Sequence, residues 1–360
     1  MSIASPRVAL ALSGGVDSAV ALHLLVGSGY RVHAFFMDTA FFSKDAHLKA
    51  EAVAQRFGVP FSRVDVTHFF EKTVVRSFER EYSLGRTPNP CALCNREVKF
   101  GFFFREIVAK YGVFDFFSTG HYAQIQAGES GVRLLRGADP KKDQSYFLSR
   151  LPPSLLPKLL FPLGAFTKEK VWKIAASLGM ASDFPGESQE ICFVPGDAYY
   201  PFLVARGLVA RPCRVETASG EVLGVFPKGI EGVTVGQRRG LGISSERRLF
   251  VQRLYPEENR IVLAPREDLF STQLVAGQWA PLVSSSEWNQ YQEEELLVQV
   301  RSRTPPHPAR VFLREMEGDC KLFVAFSQPV FAITPGQVAV VYRRDRVCGA
   351  GIIERSGHAT

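Results

Sequence analysis

The chain has no long apolar run. No hydrophobic stretch reaches the roughly 20 residues that a membrane-spanning helix needs, although hydrophobic residues make up 46% of the 360. No membrane association is expected. The opening segment MSIASPRVALAL lacks the pattern of a cleavable signal and runs straight into a strand-like stretch, so a cytoplasmic protein is expected. Internal repeats and low-complexity tracts are also missing, which sets aside repeat arrays and compositionally biased segments. Cysteine is sparse. Cys91, Cys94, Cys192, Cys213, Cys320 and Cys348 are spread over 360 residues, which does not suit a disulfide framework in a large cytosolic chain. Each is a buried small hydrophobe, a metal ligand or a reactive thiol, to be settled one at a time. Nor does one sign of charge dominate: Lys and Arg number 43 against 36 acids, a net +7. That excess suits a polyanion without demanding one.

What is present in the first half is alternation. Arg7–Leu12, Arg31–Met37 and Phe61–Val66 read as strands; Ala19–Gly27, Lys44–Phe57 and a stretch from about His68 to Leu84 read as helices. Strands alternating with helices imply a parallel sheet covered on both faces, so residues 1–207 are expected to be an α/β domain. The texture then changes. CRVETASGEVLGV and LFVQRLYPEENRIVLA look like hairpins of a small central β-rich domain over 208–273. ELLVQVRSR, ARVFLRE, KLFVAFS and AVVYRR are short strands that suggest a C-terminal β-barrel over 274–360.

The stretch Val8–Leu25, VALALSGGVDSAVALHLL, has the outline of a phosphate loop at the carboxyl end of the first strand, where ligands of such sheets bind. Backbone N–H groups and a helix N-terminus hold phosphate there. The lysine of a Walker-type loop is missing, and Asp17 stands in its place. That weakens the case for γ-phosphoryl transfer. Asp17 is suited to a magnesium ion that bridges a phosphate. Gly14-Gly15 alone would support no more than a tight turn. Cys91-Ala92-Leu93-Cys94 follows a loop stiffened by Pro88 and Pro90. It could be redox-active, a metal half-site or an accident, and no second CxxC completes a zinc site. Cys192, between Ile191 and Phe193, would on its own be a core cysteine.

Taken together, these stretches carry a resemblance. SGGVDS resembles the PP-loop of the ATP pyrophosphatases. TPNPxxxCN, TGHYA (Thr119–Ala123), LLRGADPKKDQSYFL (Leu134–Leu148), ESQEICFVPG and VGQRRGLGI (Val235–Ile243) follow it in order. The order resembles that of the bacterial tRNA-specific 2-thiouridylases, over nearly the whole chain.

The resemblance implies an enzyme that adenylates C2 of the wobble uridine of tRNA with ATP and magnesium, then replaces its oxygen with sulfur. It implies that Ala11, Leu12, Ser13, Gly14, Gly15, Val16, Asp17 and Ser18 wrap the phosphates, with Met37 and Gly120 also on the nucleotide. Cys192 would carry sulfur as a persulfide, and Cys94 would be the nucleophile that releases it. Both act as thiolates, so nearby positive charge should help them. Asn89, Pro90 and Cys91 would border the flipped target base. Lys142, Asp143, Gln144, Arg303 and Thr304 would contact tRNA. Expected partners are tRNAs for Lys, Glu and Gln, together with a persulfide carrier or cysteine desulfurase; a monomer is expected. Two departures stand out. Cys91 occupies a position where the family often has an acid, and the tyrosine often found after the arginine matching Arg303 is absent.

Other readings compete. Related tRNA thiolases hold a 4Fe–4S cluster on three cysteines, a role Cys91, Cys94 and Cys192 could fill. An amidating synthetase or lysidine-type ligase would use the loop but not the cysteines. A non-catalytic RNA-binding module would need neither.

Overall fold

The computed structural model describes residues 5–42, 45–128, 131–184, 191–316 and 318–357. The chain forms two compact units. One comprises Met1–Val74, Cys91–Phe193 and Asp345–Val347; the other comprises Val75–Pro90, Val194–Arg344 and Cys348–Thr360.

The strands of the first unit are β1 (Arg7–Ala11), β2 (Arg31–Asp38), β3 (Phe61–Asp65), β4 (Phe116–Ser118), β5 (Ala123–Gly128), β6 (Gly131–Arg136) and β7 (Leu159–Leu160). Five form a sheet in the order β3-β2-β1-β4-β7, with parallel pairings throughout. β5 and β6 pair antiparallel. The centre of β1 is buried at Val8, Ala9 and Leu10, as expected where helices cover both faces of a parallel sheet. Helix α1 (Val16–Gly27) and helix Lys168–Ser177 share a core through Ala19, Leu22, Leu25, Val171 and Ala175. The chain steps outward from β1 to β3 and then returns beside β1 as β4. The crevice at that reversal is where such sheets bind ligands.

Helix α2 (Ala46–Arg56) lies within the expected span, whose Lys44 falls outside the described residues. The helix expected from His68 to Leu84 is present as Thr67–Phe70, a wide π-helical turn at Glu71–Val75, and Arg76–Ser83. The stiff loop, however, ends sooner than the two prolines suggested. Helical structure begins at Pro90 and runs through Pro90–Leu93, a π-helical stretch Cys94–Phe103, and Phe104–Tyr111. Proline fits a first helical position, because the N–H it lacks would have had no partner there. The buried face of this helix is supplied by Val98, Phe100, Phe103 and Ile107. Both expected thiols of the pair therefore sit on its first turns.

In the second unit, β8 (Cys213–Thr217), β9 (Val222–Phe226), β10 (Leu249–Tyr255) and β11 (Arg260–Pro265) form a sheet ordered β10-β11-β8-β9. Both hairpins read from the sequence are there. The remaining strands are β12 (Phe270–Pro281), β13 (Leu296–Gln299), β14 (His307–Met316), β15 (Asp319–Phe331), β16 (Val338–Arg343) and β17 (Arg346–Gly357). They run β12-β15-β14-β13-β16-β17, and β12 pairs back onto β17 to close a barrel. Closure removes the exposed edges of an open sheet. Cys213 and Cys348 are buried in the cores of the small sheet and the barrel, so these two behave as small hydrophobes.

Candidate active site

A cavity of about 440 Å³ opens at the carboxyl ends of β1, β2 and β4. One side is the loop after β1. There the Ser18 hydroxyl donates to the Gly15 carbonyl at 2.9 Å and accepts from the Ser13 N–H at 3.2 Å. The Ser13 and Ser18 Oγ atoms lie 3.2 Å apart. These contacts fix the shape of the loop. Gly14 adopts φ +78°, and a Cβ there would come 2.8 Å from the Ala50 nitrogen of α2. The loop must therefore pass this point as glycine. Gly15 caps α1 with no side-chain hydrogen bond. Ala11, Leu12, Ser13, Gly15, Asp17 and Ser18 line the cavity, whereas Val16 is buried in the core behind it.

The lysine missing from the loop returns from elsewhere in the chain. Lys168 Nζ donates to Asp17 Oδ1 at 2.7 Å, and the Tyr122 hydroxyl donates to the same oxygen at 2.6 Å. Lys168 is buried. Its position offers a sequence signal that was missed. It opens helix Lys168–Ser177, with Thr167 as the cap accepting from the Lys170 N–H at 3.3 Å. A cation is disfavoured at that end of a helix, so a lysine there calls for a local counter-charge.

Phe35, Phe36, Met37 and Phe42 give the opposite side of the cavity an apolar surface. An anion-binding loop facing an apolar wall suits a nucleotide. Gly120 lies between, and a Cβ on it would meet the Asp17 carbonyl carbon and the Ser18 nitrogen at 3.0 Å. Gly120→Ala should therefore displace the loop and raise KM for ATP about tenfold, with the fold retained. Steady-state pyrophosphate release against ATP concentration measures this, and an unchanged KM would contradict it.

The third element of the site is sulfur. Cys91 and Cys192 are exposed and Cys94 is half-buried. Although solvent reaches them, the surrounding protein still disfavours a thiolate. Desolvation pushes Cys94 up to about 12 and Cys192 up to about 11, and it raises Cys91 as well. Cys94 is raised further by Cys192 and Cys91, and Cys192 by Cys91, while Lys99 draws all three down. The expected positive charge is thus present, but desolvation outweighs it. Lys99 also lines the cavity described above. It lies on the π-helical stretch that begins at Cys94, whose winding brings residues five apart towards one face. His121 is buried, with Nδ1 2.6 Å from Thr119 Oγ1. Burial first, then Lys99, holds its imidazole well below the usual range, so it is neutral at physiological pH. Among the described residues, no three His, Cys, Asp or Glu side chains are grouped to hold a metal ion. Cys91, Cys94 and Cys192 therefore do not form a ligand set in this structure. Gly186–Glu190, just before Cys192, lie outside the described residues.

The residues expected to contact tRNA take different parts. Asp143 is committed to its own loop. Its carboxylate accepts from Arg136 Nε at 2.8 Å, the Gly137 N–H at 2.9 Å, and the Ser145 N–H and hydroxyl at 3.0 Å each. Its side chain is 5% exposed, so the carboxylate shapes the loop. Gln144 accepts from the Tyr122 N–H at 2.9 Å and lines the cavity, and Lys142 is half-buried. Pro90 is buried at the helix start and Asn89 precedes it. In the second unit, Gln337 Nε2 donates to the Thr87 and Pro88 carbonyls at 3.0 and 3.1 Å, fixing the strap that leads to them. Arg303 is exposed on a turn, where the Thr304 hydroxyl donates to the Arg301 carbonyl at 3.1 Å. Buried Gln299 donates to the Arg301, Ser302 and Thr304 carbonyls of that turn. Lys99, Lys168, Tyr122 and His121 were not singled out from the sequence. Tyr122 and His121 sit in the quoted TGHYA, which was the available signal.

Three family models match consecutive parts of the chain. They are described as a tRNA methyl transferase HUP domain over residues 6–196, a tRNA methyl transferase PRC-barrel domain over 203–265, and an aminomethyltransferase β-barrel domain over 272–353. The tRNA-specific 2-thiouridylase MnmA of Thermotoga sp. (strain RQ2) is 39% identical, covering 97% of this chain and 99% of that protein. Its namesake from Dehalococcoides mccartyi is 37% identical over 99% of both, and that from Thermus thermophilus is 39% identical over 97% of this chain and 95% of its own length. A PP-loop cavity, a cysteine pair beside it and full-length similarity of this degree agree, and the chain belongs to the tRNA-specific 2-thiouridylase family.

Proposed function

We propose that this chain is an ATP-dependent sulfurtransferase that converts the wobble uridine of tRNA to 2-thiouridine, with Cys192 as sulfur carrier and Cys94 as its partner. The observation that carries the reading is the adjacency of two chemistries. Lys99 lines the nucleotide cavity and acts electrostatically on Cys91, Cys94 and Cys192. The methyltransferase wording of two domain models fits less well, because methyl transfer uses neither a pyrophosphate-gripping loop nor a thiol pair.

In this reading the loop N–H groups of 13–18 receive the leaving pyrophosphate, and Met37 meets adenine. The uridine O2 attacks the α-phosphorus, pyrophosphate departs, and O2 becomes part of an AMP leaving group. The terminal sulfur of a Cys192 persulfide attacks C2 and AMP leaves with the oxygen. The Cys94 thiolate then attacks Cys192 Sγ and breaks the S–S bond. The outer sulfur stays on C2, and a Cys94–Cys192 disulfide remains for a thiol reductant to reopen. Asp17 is the acid that lines the cavity among the described residues. It fits a magnesium ion held by one carboxylate and substrate phosphates, which would neutralise the pyrophosphate. The working form is a cytoplasmic monomer, loaded by a persulfide carrier or cysteine desulfurase and acting on tRNAs for Lys, Glu and Gln. Among the described residues no helix is long and apolar enough to cross a membrane.

The test is direct. Protein, ATP, tRNA and a persulfide donor are combined, and the tRNA nucleosides are analysed by mass. ATP cleavage without 2-thiouridine would reject the sulfur step. Asp17→Asn and Ser13→Ala are expected to lower tRNA-dependent pyrophosphate release about a hundredfold, as for loss of a preorganised charge partner, while tRNA binding stays nearly intact. Asp17→Asn also deprives buried Lys168 of the Asp17 carboxylate, which is itself about a third exposed, a change that destabilises by about 1–3 kcal/mol. Asp17→Asn/Lys168→Met should therefore recover thermal stability and remain inactive. Parallel loss of tRNA binding and ATP cleavage would count against this division of labour.

A further inference from the structure

A second polar cavity, of about 320 Å³, lies wholly in the central β-rich part of the second unit. Arg238, Arg247 and Arg248 line it, together with Ser245 and backbone of Gly240–Gly242, and no acidic residue is part of its lining. All three arginines are exposed.

The loop that carries them is anchored. Leu241 is buried in the core of the small sheet, with Ile243 packed against it. Gln237 accepts from the Thr234 N–H at 3.1 Å and donates to the Arg239 carbonyl at 3.0 Å. The Val251 N–H donates to the Gln237 carbonyl at 2.9 Å, and the Gly236 N–H to the Val251 carbonyl at 2.8 Å. Arg247 and Arg248 enter from the other side, immediately before β10, with the Arg247 N–H on Ser245 Oγ at 3.3 Å. Three arginines thus line one concave site on an anchored backbone. Like charges gathered this way repel one another, and an anion relieves that repulsion. Planar guanidinium forks match phosphate oxygens in particular.

We propose that this cavity binds the phosphodiester backbone of the RNA substrate, as a contact separate from the nucleotide cavity. The inference rests on the tRNA reading above for its choice of anion. An RNA backbone is favoured over a free nucleotide because the lining offers arginines and a serine but no aromatic ring to stack a base.

The test uses the full chain and unmodified tRNA. Dissociation constants are measured from low to moderate salt for the wild type, for Arg238→Ala/Arg247→Ala/Arg248→Ala, and for the corresponding triple lysine variant. Each lost phosphate contact should reduce the slope of log affinity against log salt by about 0.7–0.9. The alanine variant should therefore show a slope shallower by about 2 and bind tRNA at least about tenfold more weakly at low salt. The lysine variant should keep most of the slope, because its charge is retained. In the alanine variant, pyrophosphate release at saturating tRNA should stay near the wild-type rate, which separates lost RNA contact from a damaged ATP site. An unchanged slope in the alanine variant overturns the proposal, as does a competition result in which free nucleotide, but not RNA, protects these arginines from a guanidine-specific reagent. Failure of the wild type to thiolate tRNA in the same preparation would instead strike at the function, since the slope comparison stands without it.

Discussion

Cys192→Ser is expected to abolish thiolation, because nothing then carries the sulfur. Cys94→Ser should abolish it too, but for a different reason: sulfur still loads onto Cys192 and cannot be released. Labelled persulfide retained on Cys94→Ser and absent from Cys192→Ser separates these two roles. Cys91→Ser is the informative third variant. Cys91 is exposed, and in the persulfide route it borders the base, so its loss should leave activity within about threefold of wild type. In an iron–sulfur route all three substitutions remove a ligand and are equally damaging. Cys213 and Cys348 pack inside β-sheet cores, and Cys320 is half-buried on β15. Serine at these positions should affect stability rather than chemistry. The measurement is tRNA thiolation by each variant, aerobically and after anaerobic iron–sulfur reconstitution. Loss of activity in Cys91→Ser together with iron-dependent wild-type activity would overturn the assignment of Cys192 as carrier.

Much of the fold could be read because its determinants are local. β1 is a continuous apolar run, α1 follows a glycine loop, and the two central hairpins have polar turns at the expected places. The helix from Pro90 was missed because two prolines and two cysteines hide its start, and its π-helical stretch departs from the 3.6-residue period that pattern reading assumes. In the site, Ala11, Leu12, Ser13, Gly15, Asp17, Ser18, Met37 and Gly120 line one cavity, and their roles towards a nucleotide are those the resemblance implies. Lys168 showed only as a cation at a helix start, and Lys99 not at all, for a physical reason. One is brought to Asp17 by packing of a distant helix, and the other is aimed by winding that no short motif encodes. Asp143 adds a second role that the resemblance did not show, since its carboxylate organises the loop around it.

Lys99→Met is expected to slow sulfur chemistry at neutral pH and to move its pH dependence to the alkaline side. The reactive form of each cysteine is the thiolate. Desolvation already holds Cys94 at about 12 and Cys192 at about 11, so at neutral pH both are almost wholly protonated. Lys99 is the cation that opposes this for Cys91, Cys94 and Cys192 alike. Removing its charge raises the thiols further. Below the thiol pKa, each added unit lowers the thiolate fraction about tenfold, so alkylation of Cys94 and Cys192 should slow by about three- to tenfold at pH 7. The deficit should persist through the neutral range and close only as the pH rises through the thiol pKa values. His121 provides an internal contrast. Burial, its largest cause, keeps the imidazole depressed when Lys99 is lost, so no new acid limb should enter the profile near pH 7. Lys99→Arg restores a charge at the same place and should return the profile towards wild type, which a purely packing role would not require. Because Lys99 also lines the nucleotide cavity, KM for ATP is measured beside the alkylation rates. An alkylation profile in Lys99→Met that overlays the wild type, with ATP binding alone weakened, would confine Lys99 to the nucleotide and remove it from the sulfur chemistry.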